Sequence, residues 1–276
     1  MCREEEKRQA GAIGETGTMA LIHVSFFAEA LELSTAMTVL LPDDAPVRDA
    51  GAPEPPVLYL LHGLTDDHTA WTRFTSIERY AAAYGIAVVM PQVHRSFYAD
   101  EAHGMKFWTF LSEELPRTVA GFFRVSTRPA DTYVAGLSMG GYGAMKWALR
   151  QPGRFAAAAS LSGALDAAYL QEYDMRPHMR ALTARVFADR RVRGGDEDLL
   201  HLLAGADPAA LPRLILSCGT EDHLVAQNER FVAACAARGI ALEASFGPGA
   251  HEWSYWDAEI PRVLARMLDG RSAPAA

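Results

Sequence analysis

Ser138 is the side chain whose surroundings most strongly predict covalent chemistry. It lies between Gly136 and Gly140, after a short apolar run and before a segment with apolar residues at helical spacing. A sharp turn from a strand into a helix holds such a serine in a strained backbone conformation, and glycines two positions away on either side let the two arms approach closely. The unpaired amides and positive dipole end of the helix then stabilise negative charge beside the hydroxyl. This pattern predicts a nucleophile elbow with Ser138 as the nucleophile.

An acid and a base must accompany a nucleophilic serine, because its hydroxyl reacts poorly until a neighbouring base accepts the proton. In proteins with this elbow, the acid and then the histidine follow the serine along the chain, each after a strand. Asp222 follows a predicted strand, and His251 lies in a short glycine-rich loop after the next one. We therefore predict that Ser138, Asp222 and His251 form a catalytic triad.

Other residues compete for these roles. Glu221 adjoins Asp222, and Asp166 follows another predicted strand, so either could supply the carboxylate. His223 is an alternative base, although neighbouring side chains in sequence seldom hydrogen-bond productively. In a protein without this chemistry, Asp222 would cap the following helix and His251 would be an ordinary loop histidine.

Two backbone amides are predicted to bind the oxyanion that forms during acyl transfer. One belongs to Met139, the residue after the nucleophile. The other belongs to Leu64, which follows an earlier central strand, and Gly63 lets the chain turn so that this amide points inward. His62 beside them is expected to be a structural residue that bonds nearby backbone.

Aromatic side chains on loops at the same predicted face could line a pocket for the acyl group. The opposite interpretation, that they belong to the hydrophobic core, fits the sequence equally well. The residues concerned are Trp71, Phe107, Trp108 and Trp253.

Strands and helices alternate along most of the chain, and this order predicts how the candidate residues come together. Most predicted strands are uniformly apolar, which indicates an α/β fold with a mostly parallel central sheet and helices on both faces. Ligands of such sheets bind beyond the carboxyl ends of the strands, where Ser138 falls. The predicted strands are two antiparallel edge strands within 23–41, then 57–61, 86–90, the run before the elbow, 155–161, 213–217 and 241–246, and the predicted helices are 76–84, 110–123, the segment after the elbow, 225–238 and 254–268.

One domain, residues 19–270, is predicted to contain this structure. Residues 1–18 lack hydrophobic periodicity and are predicted to be a disordered extension, as is the tail 271–276, and Met19 could be the natural start. Residues 166–208 interrupt the alternation with a polar stretch rich in arginine and aspartate. We interpret this stretch as a cap-like insertion over the carboxyl ends of the strands.

The composition argues against several classes of partner. A formal net charge of −8 disfavours nucleic acid. No apolar run reaches the roughly 18 residues needed to cross a bilayer, and the charged first residues lack the apolar core of a secretory signal, so a cytoplasmic location is expected. The cysteines Cys2, Cys218 and Cys235 are too few and too scattered for a disulfide framework or a cysteine-based zinc site.

Together, these motifs resemble the esterase D-like branch of the α/β-hydrolases, and most closely the bacterial tributyrin esterases. The resemblance covers roughly residues 20–268. It implies an α/β-hydrolase fold and a serine carboxylesterase that hydrolyses short acyl esters through an acyl-enzyme, without a metal or cofactor, and often as a homo-oligomer such as a dimer or tetramer. The motifs that carry it are Pro56-Val-Leu-Tyr-Leu-Leu-His-Gly-Leu64 with Trp71, Val88-Val-Met-Pro91, Glu113-Glu-Leu-Pro116, Ala135-Gly-Leu-Ser-Met-Gly-Gly-Tyr-Gly143, Ser160-Leu-Ser-Gly163, and His251-Glu-Trp253 with Tyr255-Trp256.

Alternative functions on the same scaffold differ in substrate or lack chemistry altogether. The related S-formylglutathione hydrolases typically carry a cysteine shortly after the turn that corresponds to Leu64, whereas this chain has Thr65-Asp66-Asp67 there. That difference favours a simple esterase over a thioesterase. An acetyl or feruloyl carbohydrate esterase is a third substrate class, and a non-catalytic binding protein is the alternative that is not an enzyme.

Overall fold

The computed structural model describes residues 18–43 and 53–269. The segments predicted to be disordered, 1–18 and 271–276, lie outside these ranges apart from residue 18, so both stay predictions. The candidate residues for chemistry all lie inside them.

A mostly parallel sheet forms the centre of the described residues. Its eight strands are arranged in the order β1-β2-β4-β3-β5-β6-β7-β8. The first two strands are an antiparallel hairpin at one edge, the second is antiparallel to the fourth, and all other neighbours are parallel. The predicted fold is therefore confirmed. The strands are β1 (Met19–Ala28), β2 (Leu33–Pro42), β3 (Val57–Leu61), β4 (Ala87–Pro91), β5 (Thr132–Leu137), β6 (Ala157–Leu161), β7 (Arg213–Gly219) and β8 (Leu242–Gly247).

Apolar side chains on both faces of the central strands explain why helices cover both sides of the sheet. Along β3, Val57, Tyr59 and Leu61 belong to one hydrophobic core, and Leu58 and Leu60 belong to the other. This alternation is the two-residue period of a strand. All five side chains are buried. Removing apolar surface from water on both faces supplies the main stabilisation of the sheet.

Helices from both sides complete these two cores. Ile77 and Ile260 pack with Leu58 on one face, and Met145 and Phe231 pack on the opposite face. No helix within the described residues is long and apolar enough to cross a membrane. The helices are α1 (Ala70–Phe74), α2 (Ile77–Ala82), α3 (Phe107–Thr109), α4 (Leu115–Phe122), α5 (Met139–Arg150), α6 (Ala167–Tyr173), α7 (Pro177–Phe187), α8 (Leu199–Gly205), α9 (Val225–Ala237) and α10 (Trp253–Met267).

The helix predicted over 110–123 begins earlier and is irregular. It starts with α3 at Phe107 and passes through a π-helical turn, Phe110–Glu114, into α4. Pro116 lies at the start of α4. Since proline has no amide hydrogen and its ring clashes with the carbonyl four residues earlier, a regular α-helix is disfavoured there. The wider turn directly before the proline accommodates that defect.

Helices α6, α7 and α8 lie between β6 and β7, in the region predicted as an insertion. Asp166 caps α6 by accepting a hydrogen bond from the amide of Tyr169, and Asp198 caps α8 through the amides of Leu200 and His201. These caps explain why a polar stretch without a clear hydrophobic period still contains helices. Its assignment as a cap over the site stays a prediction.

Candidate active site

Ser138 lies at the junction between β5 and α5, in a backbone conformation that disfavours side chains. Its φ is 52° and its ψ is −117°, which costs about 1–3 kcal/mol for a residue with a Cβ. Two backbone hydrogen bonds hold the strained residue. Its amide donates to the carbonyl of Leu161 at 2.9 Å, and its carbonyl accepts from the amide of Ala164 at 3.0 Å. The predicted nucleophile elbow is therefore present in the backbone.

The flanking glycines are required because backbone atoms lie directly against both of them. A Cβ added to Gly136 would lie 2.5 Å from the backbone carbonyl of Gly140, and one added to Gly140 would collide with the carbonyl oxygen of Leu61. Neither neighbour is a flexible side chain. Only glycine lets α5 start directly above the ends of β3 and β5.

A chain of hydrogen bonds connects the three predicted catalytic side chains. Nε2 of His251 lies 3.0 Å from Oγ of Ser138, and Nδ1 of His251 lies 2.8 Å from Oδ2 of Asp222. The residues are 113 and 29 positions apart in sequence. Parallel pairing explains how they meet, because β5, β6, β7 and β8 are neighbours whose carboxyl ends share one edge of the sheet.

Asp222 is held in an ionised and oriented state. Burial by itself raises the pKa of this carboxyl, but the hydrogen bonds from His251 and from the amide of Leu224 outweigh that effect and leave its pKa below the ordinary value. The Leu224 amide donates to Oδ1 at 2.8 Å. The carboxylate therefore faces Nδ1 with a fixed orientation, so the imidazole presents its unprotonated Nε2 to the serine.

The alternative acids have other partners, and the alternative base is not hydrogen-bonded to Asp222. Glu221 is exposed and accepts from the amide of Gly249 at 2.6 Å, which fixes the loop before His251. Asp166 caps α6 and pairs with Arg230 at 3.3 Å. His223 is exposed, with Nδ1 3.7 Å from Asp222, which is beyond hydrogen-bonding distance.

A cavity of about 540 Å³ opens onto Ser138 and His251. A larger one, about 630 Å³, lies elsewhere against Tyr59, Arg117 and Arg154 and contains none of the predicted catalytic residues. Size alone would select the larger cavity, but the hydrogen-bonded serine and histidine point to the smaller. The residues around the smaller cavity include Gly63, Leu64, Thr65, Asp66, Phe97, Leu137, Met139, Ala164, Leu170, Arg176, His178, Met179, His223, Leu224, Glu252, Trp253 and Trp256.

Leu64 and Met139, the predicted oxyanion-binding residues, both line this cavity. Met139 is the first residue of α5, so its amide has no acceptor within the helix. The turn before Leu64 is tight, because a Cβ on Gly63 would lie 2.6 Å from Oδ2 of Asp66 and 2.7 Å from the side chain of Leu137. Their role as oxyanion donors stays a prediction.

His62 has the structural role expected of it. It is 1% exposed, its Nδ1 lies 2.7 Å from the carbonyl oxygen of Gly63, and its Nε2 accepts from the amide of Val93 at 3.2 Å. Burial lowers its pKa to about 4, so the ring is neutral at ordinary pH. A neutral ring with both nitrogens occupied fixes the loop that leads to Leu64.

The predicted aromatic pocket is largely wrong. Trp253 lines the cavity, but Trp71, Phe107 and Trp108 do not. Trp71 is buried and donates from Nε1 to the carbonyl of Leu61 at 3.1 Å. Trp108 lies beneath the charged groups of α5 in a different cavity. These three residues belong to short helices that turn their aromatic rings towards the core, which matches the alternative interpretation.

Several cavity residues carried no signal in the sequence. Phe97 lies in the connection between β4 and α3, where His94, Phe97 and Tyr98 all have positive φ. Leu170 and Met179 come from the short helices between β6 and β7. Side chains on such irregular segments have no periodic pattern that would indicate which way they face.

Ligand-type side chains that could hold a metal ion gather at one place in the described residues. The group consists of Asp222, His223 and His251, whose ligand atoms lie within 4.8 Å of one another. Two of its members also belong to the hydrogen-bonded chain with Ser138. The predicted absence of a metal or cofactor stays a prediction.

Known proteins with similar sequences include esterases. The Esterase family model, described as "Putative esterase", matches residues 28–267. An acetyl esterase of Caldicellulosiruptor saccharolyticus is 27% identical over 261 residues, which cover 90% of this chain and 98% of that protein. Esterases of Mycobacterium tuberculosis are 30% identical over 286 residues, and this chain spans 61% of their length.

Two solved structures of hydrolases from Staphylococcus aureus share this fold. The substrate-bound fluorophosphonate-binding serine hydrolase F of Staphylococcus aureus is 32% identical with a TM-score of 0.85, covering 92% of this chain and all of that one (100%). An S-formylglutathione hydrolase of the same organism is 33% identical with a TM-score of 0.81, covering 91% and 99%. These matches confirm the resemblance to the esterase D-like branch, and the closer likeness to tributyrin esterases stays a prediction. The chain belongs to the Esterase family, and it is an α/β-hydrolase enzyme that hydrolyses esters.

Proposed function

We propose that this protein is a serine carboxylesterase that cleaves short-chain acyl esters through an acyl-enzyme intermediate. The observation that carries the proposal is the hydrogen-bonded chain from Ser138 through His251 to Asp222 beside an open cavity. Serine, imidazole and carboxylate in this order are the groups that acyl transfer needs.

In the acylation step, Oγ of Ser138 attacks the ester carbonyl and Nε2 of His251 accepts its proton. The amides of Leu64 and Met139 donate to the oxyanion of the tetrahedral intermediate. His251 then protonates the departing alcohol, which leaves the acyl group on Ser138. In the second half, the same imidazole activates water and the acid is released. Asp222 stabilises the imidazolium in both halves.

The apolar wall of the cavity supports a preference for short acyl groups. Leu170 and Met179 from the region between β6 and β7, with Trp253 from α10, line the cavity that opens onto the serine. Bulky apolar side chains at this position restrict the length of chain that fits. The acetyl esterase of Caldicellulosiruptor saccharolyticus supports this choice of substrate by its name.

A test of the mechanism is the Ser138→Ala variant with p-nitrophenyl acetate and butyrate. Without the nucleophile, kcat is expected to fall by roughly 10⁴–10⁶-fold. Labelling by a fluorophosphonate probe should disappear as well. The matched control is Ser254→Ala, because Ser254 is exposed on α10 and outside the cavity. Ser138→Ala protein that kept its turnover, or that was still labelled, would contradict the proposal.

A second candidate is a thioesterase that acts on S-formylglutathione, favoured by the solved hydrolase of that name at 33% identity. The same hydrogen-bonded chain could cleave a thioester. Comparing kcat/KM for S-formylglutathione with kcat/KM for p-nitrophenyl acetate separates the two, and we expect the oxygen ester to be preferred. The cytoplasmic location expected from the sequence and the homo-oligomer implied by the resemblance stay predictions, which fractionation and light scattering can check.

A further inference from the structure

His223 places a third metal-ligand side chain against the pair formed by Asp222 and His251. Its Nδ1 is 3.7 Å from Oδ1 of Asp222, and its ring lies 4.5 Å from the ring of His251 at an angle of 68°. Within residues 18–43 and 53–269, no other three histidine, cysteine or acidic side chains bring their ligand atoms within 4.8 Å. The proposed ester hydrolysis uses two of the three and gives His223 no role.

The spacing of these atoms is close to that of a zinc site. Zinc binds nitrogen and carboxylate oxygen at about 2.0–2.2 Å in a tetrahedron, so its ligand atoms are about 3.4 Å apart. The distance from Nδ1 of His251 to Oδ2 of Asp222 is 2.8 Å, and that from His223 to Asp222 is 3.7 Å. Because the His223 side chain is 61% exposed, a small rotation can bring its Nδ1 to the ligand spacing of a zinc site. A water molecule can occupy the fourth coordination position of the ion.

One negative charge within the group attracts a cation, and the nearest positive side chain is paired elsewhere. Asp222 supplies a buried carboxylate. The positive charge of Arg176 acts on His223, but this guanidinium is paired with Asp174. Two imidazoles and one carboxylate are a ligand set typical of zinc and copper rather than of magnesium, which prefers oxygen.

We propose that Asp222, His223 and His251 form an inhibitory site for Zn²⁺ or a similar divalent ion that prefers imidazole. Its effect on activity rests on the proposed function. In the ester-cleaving state, Nδ1 of His251 carries a proton and donates it to Asp222, and Nε2 accepts from Ser138. An ion bound by the lone pair of Nδ1 displaces that proton, and a neutral imidazole then carries its proton on Nε2. The nitrogen that faces Oγ becomes a donor, so Ser138 loses its base and hydrolysis stops.

The first experiment measures binding without turnover. Zn²⁺ is titrated by calorimetry into three proteins. They are the Ser138→Ala variant and the same variant with either His223→Ala or His178→Ala added. His178 is an exposed histidine of the same cavity outside the group. We expect one ion per chain whose Kd rises about tenfold or more with His223→Ala, since even residues around metal ligands are worth 10–100-fold in affinity, and no change with His178→Ala. No saturable binding, or equal binding in both variants, would overturn the proposal.

The second experiment measures inhibition in the protein with its serine intact. Zn²⁺ should inhibit hydrolysis of p-nitrophenyl acetate, chelation by EDTA should restore each protein's own metal-free rate, and Mg²⁺ should have no effect. His223→Ala should raise the half-inhibiting Zn²⁺ concentration about tenfold or more. Inhibition that is unaffected by His223→Ala, or binding without inhibition, would overturn the inhibitory role. Calorimetry reports the site even if the protein does not hydrolyse p-nitrophenyl acetate, so failure of the proposed function can be told apart from failure of this site.

Discussion

Replacing Asp222 with asparagine should abolish most activity, although it replaces only one carboxylate oxygen with an NH₂ group. Oδ1 of Asp222 accepts from the amide of Leu224 at 2.8 Å, and Oδ2 faces Nδ1 of His251 at 2.8 Å. An asparagine must place its oxygen towards the Leu224 amide, because the opposite orientation would bring two donors together at a buried position. Its NH₂ group then faces His251.

The consequence is the wrong histidine tautomer. A donor facing Nδ1 favours the ring with its proton on Nε2, which cannot accept the proton of Ser138. The same substitution in a serine protease triad lowers kcat by about 10⁴-fold, which corresponds to about 5.4 kcal/mol of transition-state stabilisation. We expect a loss of that size here, because the Leu224 amide forces the asparagine into the unfavourable orientation.

Steady-state hydrolysis of p-nitrophenyl acetate measures the effect, and Glu221→Gln is the matched control. Glu221 is the adjacent carboxylate but is exposed and bonded to Gly249 rather than to His251. Glutamine keeps an acceptor for that amide, so kcat should stay within a few-fold. An Asp222→Asn protein with nearly normal kcat would refute the tautomer argument. A large loss in Glu221→Gln alone would instead identify Glu221 as the acid.

Three further predictions test the fold and the cavity. Gly140→Ala should lower the free energy of unfolding, measured by urea denaturation, by at least about 2 kcal/mol, because its Cβ meets backbone that cannot rotate away. The control is Gly153→Ala, whose Cβ meets nothing within 4 Å. That variant should change the free energy of unfolding by less than about 0.5 kcal/mol. Trp253→Ala should raise the ratio of kcat/KM for octanoate over acetate esters by about tenfold, and Trp108→Ala should leave that ratio unchanged; the opposite pattern would place Trp108 in the pocket. Finally, the lowered pKa of Asp222 means that its contribution to stability is present above the ordinary aspartate pKa, about 3.9, and is lost as pH falls through the lower folded value. Unfolding of the original chain should therefore depend more steeply on pH below about 4 than unfolding of Asp222→Asn.

The positions of the serine, acid and histidine could be predicted because each comes where a parallel strand ends. Parallel pairing brings those ends to one edge of the sheet, so order along the chain is enough to bring Ser138, Asp222 and His251 together. Uniformly apolar strands and glycines at fixed spacing are local features, and they can be recognised without knowing the tertiary structure.

The cavity wall could not be predicted in the same way. Trp71 and Trp108 lie on short helices, and which side of a short helix is buried depends on what packs against it rather than on its own pattern. Phe97 lines the cavity from a connection that contains positive φ values at non-glycine residues. The residue types there do not indicate such a backbone conformation. The acyl pocket is therefore a property of tertiary packing, whereas the hydrogen-bonded chain is largely a property of topology.

A buried polar network behind the site connects helix α5 with the loop that leads to Leu64. Nζ of Lys146 on α5 donates to the carbonyl of Tyr98 at 2.8 Å and pairs with Glu197. The hydroxyl of Tyr98 in turn donates to the carbonyl of His62 at 2.8 Å, directly before the turn to Leu64. The helix that begins at the nucleophile is thus tied, through one tyrosine, to the loop expected to bind the oxyanion. Because the pairing of Lys146 satisfies a fully buried charge, the network resists displacement of either part, and it adds to the pairing of Leu61 with Gly136 that places the ends of β3 and β5 side by side.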